Sequence, residues 1–195
     1  GFGLTPSTRG VWTGTSSYNS WINSIAYGNG YYVAVGKYYD GSSSCTARIA
    51  YATSLSGTWT TKDLWKASSS SLSGQCEINC VGYGNGYWVV GGAYCDGSYT
   101  YGRIAYATSP NGTWTTQDLW AGNSDYALRG VIYANSTWIA VGRGSSGSGQ
   151  IAYTTSLSGT WTTKTLSSLV PLGVVYANGY LLIPGKDDYV AVLGY

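Results

Sequence analysis

The acidic side chains are few enough to weigh one by one: Asp40, Asp63, Glu77, Asp96, Asp118, Asp125, Asp187 and Asp188. A glycosidase needs two carboxyls roughly 5–10 Å apart, one as acid and one as base or nucleophile. Asp40 and Asp96 occupy corresponding stretches, Tyr38-Tyr39-Asp40-Gly41 and Tyr94-Cys95-Asp96-Gly97, so they are the pair that could converge. Asp63 and Asp118 are repeat equivalents and read as structural. The chain has no His. That excludes Ser-His-Asp and Cys-His triads and removes the commonest transition-metal ligand. Asp40-Gly41 and Asp187-Asp188 offer few carboxylates for calcium, and a thiolate zinc site would have to gather Cys45, Cys76, Cys80 and Cys95. No catalytic residue, metal or cofactor is therefore expected.

The cysteines have a second chemistry. If Asn85-Gly86 is a two-residue turn, Cys76 faces Cys95 across the ladder, within the roughly 4.5–5.5 Å that a disulfide spans. Cys45 and Cys80 are then the remaining pair. Four cysteines allow three pairings, and sequence alone does not choose among them. Disulfides fit an oxidising compartment; four buried thiols are the alternative.

Recognition is the third chemistry. The chain carries 20 Tyr and 9 Trp, and the tyrosines crowd the segments Lys37–Ala47 and Ala93–Gly102. The corresponding third loop, Arg143 to Gly149, is Ser- and Gly-rich and has no Tyr. Tyr, Ser and Gly loops on a rigid scaffold make an adaptable binding surface. The expected ligand-binding set is Tyr38, Tyr39, Asp40, Tyr94, Asp96, Tyr99, Tyr101 and Arg143. The competing reading is that these tyrosines only cover strand edges. Arg48 and Arg103 open equivalent strands, which favours a structural role for both.

A repeat positions these loops. Arg48-Ile49-Ala50-Tyr51-Ala52-Thr53-Ser54 returns as Arg103 to Ser109 and as Gln150 to Ser156, each time followed by a Gly-Thr-Trp turn. Ahead of each copy lies an apolar run broken by Asn29-Gly30, Asn85-Gly86 or Asn135-Ser136, and a fourth run is broken by Asn178-Gly179. Asn-Gly between β-branched and aromatic runs is a strong hairpin signal. Two strands precede each loop and two follow it, Ile-Ala-Tyr-Ala-Thr and Thr-Trp-Thr-Thr. Trp12, Trp59, Trp114 and Trp161 recur at 47, 55 and 47 residues, the period of a propeller blade, slightly long. The apolar runs are nearly continuous, which suits strands covered on both faces. The last repeat lacks its Gly-Thr-Trp strand, and Thr5–Thr13 supplies one. The fold expected is all-β, a four-bladed β-propeller whose fourth blade is closed by the N-terminal strand. It is one domain over residues 1–195, with repeats at about 20–65, 76–120, 127–167, and 170–195 plus 1–15.

The Ser-x-Ser/Asn-Gly-Thr-Trp turn resembles the Asp-box of bacterial neuraminidase-type repeats, Ser-x-Asp-x-Gly-x-x-Trp. The matching positions are Ser54, Ser56, Gly57 and Trp59; Ser109, Asn111, Gly112 and Trp114; and Ser156, Ser158, Gly159 and Trp161. The motif here is shortened, and its Asp is absent from all three copies. The resemblance implies a propeller with this turn between the third and fourth strands of each blade, in a structural role. Similar repeats occur in phage tail and receptor-binding proteins and in secreted bacterial adhesins. Neuraminidases of this fold use a Tyr-Glu pair, an acid-base Asp and three Arg, whereas Glu77 is the single Glu of this chain.

Charged residues are 9% of the chain against roughly 25% in ordinary domains, and the net charge is +2, which argues against a nucleic-acid partner. No apolar run reaches the 18 or so residues of a membrane-inserted helix. The function these features point to is a non-catalytic, extracellular or virion-surface module that binds a glycan or another cell-surface receptor, in the manner of a lectin, an adhesin or a phage tail fibre. The alternative is a structural or decoration subunit whose partners are other subunits of a virion, appendage or surface layer.

Overall fold

In each repeat the chain reverses at an asparagine. Asn29, Asn85, Asn135 and Asn178 have φ of 45–50°, and Gly30, Gly86, Ser136 and Gly179 follow with φ of 60–81°. Two successive positive φ values match the right-handed twist of the flanking strands, so the four turns fix four hairpins. The computed structural model describes residues 7–12, 20–39, 45–67, 76–122, 126–144, 148–186 and 188–194. Blade 1 comprises β1 (Trp21–Gly28), β2 (Tyr31–Tyr39), β3 (Cys45–Ala52) and β4 (Thr60–Lys66). Blade 2 comprises β5 (Glu77–Gly84), β6 (Tyr87–Cys95), β7 (Thr100–Ala107) and β8 (Thr115–Gly122). Blade 3 comprises β9 (Ala127–Ala134), β10 (Thr137–Arg143), β11 (Gly149–Thr154) and β12 (Thr162–Leu166). Blade 4 has β13 (Val175–Ala177), β14 (Tyr180–Pro184) and β15 (Val190–Gly194). Strands are antiparallel and adjacent in chain order within each sheet, and the chain is a four-bladed β-propeller.

The core lies in the seams between blades. Val33, Ile49 and Trp65 of blade 1 meet Ile78, Trp88 and Val90 of blade 2. Val89 and Ile104 meet Leu128, Val131 and Trp138 at the next seam. Ile139, Val141 and Ile151 meet Leu181 and Ile183 at the third. The second strands β2, β6 and β10 are therefore buried on both faces, which is why their apolar runs do not alternate.

A bulge recurs in the innermost strand of blades 1 to 3. The β1–β2 ladder slips between Ile22 and Ser24, β5–β6 between Ile78 and Cys80, and β9–β10 between Leu128 and Gly130. The extra residues are Asn23, Asn79 and Arg129. Glycine stands opposite each slip, at Gly36, Gly92 and Gly142. A Cβ at these glycines would overlap the carbonyl of Trp21, Glu77 or Ala127. The bulged asparagines reach across the seams: Asn23 Nδ2 donates to the Ile78 carbonyl at 2.9 Å, and Asn79 Nδ2 to the Leu128 carbonyl at 3.1 Å.

Two expectations are corrected. The bulge at Asn79 sets Glu77 across from Ala93, and that register carries Cys76 to Tyr94 rather than to Cys95. A one-residue slip reverses the face, so the Cys76–Cys95 pairing fails. All four cysteines lie among the described residues, buried and unbridged in this structure; Cys45 and Cys80 lie in different seams, so the Cys45–Cys80 pairing fails as well. The fourth strands begin at Thr60, Thr115 and Thr162, leaving Trp59, Trp114 and Trp161 in the turns before them. The closure of blade 4 is described only in part: among the described residues it has three strands. Residues 7–12 form no ladder with β15; Arg9 Nη1 instead donates to the Ser56 carbonyl of blade 1 at 3.2 Å. The rest of the expected closing strand lies outside the described residues.

The end blades expose what the middle blades bury. Ile22, Ile25 and Tyr27 on β1 are 44%, 56% and 63% exposed, while Ile78 and Leu128, the equivalents of Ile22, are at 0%. Val175, Val190 and Val192 of blade 4 are likewise more than half exposed. We expect Gly92→Ala to destabilise the fold by about 1–3 kcal/mol, through a carbonyl that cannot retreat within a paired ladder. Gly194→Ala, which meets nothing within 4 Å, should stay within about 0.5 kcal/mol. Urea denaturation of the two variants beside the wild type measures both.

Candidate functional site

The candidate tyrosines sit where ladders run out. β2 ends in Tyr38-Tyr39 and β6 ends in Tyr94-Cys95, and the chain returns through β3 and β7. Register pairs Tyr38 with Thr46 and Tyr94 with Tyr101.

Asp96 organises the blade 2 loop. Its Oδ1 accepts the Ser98 and Tyr99 amides, each at 2.8 Å, and its Oδ2 accepts the Tyr101 hydroxyl at 2.7 Å. The Asp96 amide donates to the Tyr99 carbonyl at 3.2 Å. Asp favours such turns because its short side chain satisfies backbone groups two and three residues on. Gly97 follows with φ 103°, which side-chain-bearing residues rarely adopt. The Tyr99 and Ser98 amides and the Tyr101 hydroxyl hold the Asp96 carboxyl below its usual range. The hydrogen bond to that carboxylate pushes the Tyr101 phenol up to about 12. Tyr101 lies against Tyr94, with ring centroids 5.9 Å apart, while Tyr99 is 49% exposed.

Beneath the loops lies a repeated stack. The Arg48 guanidinium sits 3.4 Å from the Tyr38 ring centre and grips Asp63 at 2.5 and 3.1 Å. Arg103 does the same with Tyr94 at 3.5 Å and with Asp118 at 2.6 and 2.8 Å. In blade 3 the pair becomes Gln150 donating to Thr165 Oγ1 at 3.2 Å. A planar guanidinium is suited to both partners at once, one in its plane and one on its face.

The eight expected residues therefore separate. Tyr94, Asp96, Tyr99 and Tyr101 form one loop of blade 2. Tyr38 and Tyr39 belong to blade 1; Tyr39 packs against the seam core, and its amide donates to Ser20 Oγ at 2.9 Å. Arg143 lies at the end of β10, where its carbonyl accepts the Trp120 indole N–H across the seam at 3.1 Å. Trp65 makes the same bond to Ala93 at 2.8 Å. Asp40 lies outside the described residues, so its approach to Asp96 is not part of this geometry. Asp63 and Asp118 are held by arginines. Among the described residues, no three Cys, Asp or Glu side chains gather as metal ligands.

One concavity escaped the sequence reading. At the hairpin-turn end of the blade 2–3 seam, Tyr87, Tyr106, Trp138 and the segment Thr155–Ser158 line a cavity of about 200 Å³. Tyr87 and Tyr106 make an edge-to-face pair at 6.3 Å, as Tyr31 and Tyr51 do in blade 1 at 6.2 Å. Because these tyrosines repeat, they read as scaffold. The adjoining turn closes with the Gly159 amide on the Ser156 carbonyl at 3.0 Å and with Ser156 and Ser158 hydroxyls 3.3 Å apart. Ser54–Ser56 and Ser109–Asn111 make the same side-chain pair at 3.0 and 2.5 Å.

We expect the Tyr101 ring Cζ, followed by 13C NMR, to titrate near 12, and in Asp96→Asn to fall toward 10. Because the folded value is raised, the stability this bond contributes is fully present below pH 10 and is lost as pH rises through about 12. An unchanged midpoint in the variant would contradict the assignment.

No protein-family model matches the chain, and no curated protein matches it. Solved structures do. A mutant of Trypanosoma rangeli sialidase displaying trans-sialidase activity superposes with a TM-score of 0.57 at 17% identity, over 90% of this chain and 36% of that one. Trypanosoma rangeli sialidase in complex with sialic acid gives 0.55 at 16% identity, over 89% and 35%. Xylan β-1,4-xylosidase from Bacillus halodurans C-125 gives 0.50 at 13% identity, over 93% and 42%. The chain thus spans little more than a third of the sialidases it resembles, and the likeness is one of fold: this chain is built as a β-propeller.

Proposed function

We propose that this propeller is a non-catalytic recognition module, lectin-like or adhesin-like, displayed outside the cell or on a virion surface. The observation that carries the reading is the Asp96 loop. Its carboxylate is engaged by two amides and a phenol, and it holds the half-exposed Tyr99 ring on a braced scaffold. A fixed aromatic face beside hydroxyls suits a sugar ring, and pre-ordering the loop lowers the entropy lost on binding. A carboxylate committed in this way is a poor general acid, because its hydrogen bonds favour the ionised form. Asp63 and Asp118 are committed to arginines in the same sense. The turns between the third and fourth strands, with Ser or Asn where the neuraminidase-type repeat has Asp, act in this reading as structural clasps, as in phage tail and adhesin propellers.

A second reading, a structural subunit of a virion, appendage or surface layer, draws on a different observation. The apolar side chains left open on β1 and on blade 4 suit protein–protein packing.

A glycan array probed with the wild type and with Tyr99→Ala tests the first reading. Binding to a defined sugar family, weakened about tenfold or more in the variant, is the expected result. No binding by folded wild type, together with self-association in light scattering, would replace it with the second.

A further inference from the structure

We infer that Cys45 and Cys76 are the partners of a disulfide that ties blade 1 to blade 2, and that Cys80 and Cys95 remain thiols. Cys45 opens β3, where its carbonyl accepts the Ala67 amide at 3.3 Å. Cys76 precedes β5, and its thiol points to the Trp65 carbonyl at 3.7 Å. Trp65 pairs with Ala47, two residues along β3 from Cys45. Cys45 and the Cys76 thiol therefore lie at the same end of the β3–β4 ladder. Both side chains are fully buried in the same seam core, with Trp65 and Ala67 beside them.

Cys76, helped by the charge of Lys37, lowers the Cys45 pKa, while Cys45 and burial raise that of Cys76. Cys80 sits in the next seam, its thiol on the Gly91 carbonyl at 3.4 Å, and burial pushes its pKa up to about 12. Cys95 accepts the Gly97 amide at 3.3 Å, inside the loop that Asp96 holds.

The oxidant is a small-molecule disulfide such as oxidised glutathione. The Cys45 thiolate attacks one of its sulfurs and releases one thiolate, leaving a mixed disulfide. The Cys76 thiol, on losing its proton, then attacks the Cys45 sulfur and releases the second thiolate. Two protein thiols are oxidised, and one small disulfide is reduced to two thiols. Because both sulfurs are buried in the folded chain, the step belongs to folding, before the seam closes.

The test is refolding in a glutathione redox buffer, blocking remaining thiols in denaturant, and mapping the non-reduced peptides. Trypsin isolates Cys45 between Lys37 and Arg48, cleavage after Glu77 parts Cys76 from Cys80, and chymotrypsin cuts before Cys95 at Tyr94. A Cys45–Cys76 peptide pair, with Cys80 and Cys95 blocked, is expected. Reduction should lower the wild-type Tm by roughly 5–15 °C, by releasing the loop between them. A Cys45→Ser/Cys76→Ser variant should show no such shift. A Cys76–Cys95 or Cys45–Cys80 linkage, or four blocked thiols, would overturn the inference.

Discussion

The bulge on the innermost strand is the constraint from which the propeller's geometry follows. A bulge inserts one residue that the partner strand cannot match, and it turns that residue out of the ladder. Here the inserted residue of blades 1 and 2 is asparagine, and its amide bonds the carbonyl before the next blade's bulge. In the blade 1–2 and blade 2–3 seams the donor is thus made by one slip and its acceptor is presented by the next. Glycine must stand opposite, because the displaced carbonyl occupies the space of a Cβ. Close approach at Gly28 and Gly84, which the rings of Tyr83 and Tyr133 cover, completes these two seams. The buried Trp88 and Trp138 then have a fixed distance to fill.

Hairpins were legible in the sequence because their signal is local. Two residues with positive φ and the runs beside them decide the turn, and the structure follows at all four sites. The bulge has no such signature. Asn79 sits in an apolar run like any exposed strand residue, and only the ladder reveals that it is extra. One uncounted residue was enough to put Cys76 on the wrong face. The tryptophans of the Gly-Thr-Trp turns were misread for a related reason. Aromatic and Thr residues favour strands, yet a Ser-Gly turn that closes on its own backbone keeps Trp59, Trp114 and Trp161 outside the ladder. Trp114 meets the Pro110 carbonyl at 3.1 Å, a bond internal to the turn.

Repetition also separates scaffold from candidate site. The Tyr-Arg-Asp stack appears in blades 1 and 2 and is replaced in blade 3 by a neutral pair, Gln150 and Thr165. When the arginine goes, the carboxylate goes with it, as expected of partners that serve each other rather than a ligand. Asp96 has a counterpart in Asp40, but Tyr99 and Tyr101 have none in the corresponding connections of the other blades. The bonds that join the three were not readable from spacing, since Asp and Tyr five residues apart meet only once Gly97 turns the chain.

The same repetition explains why two functional readings coexist. A blade buries its leading face against the blade before it, and among the described residues the leading face of blade 1 is left largely open. Ile25 and Tyr27 stand on that face, and Val190 and Val192 stand exposed on the last blade. The Asp96 loop lies elsewhere, at the end of the blade where β6 and β7 are joined. A ligand on the loop and a neighbour on the end faces therefore make no demand on the same side chains. The propeller's seams, not its loops, decide whether both surfaces hold their shape at once.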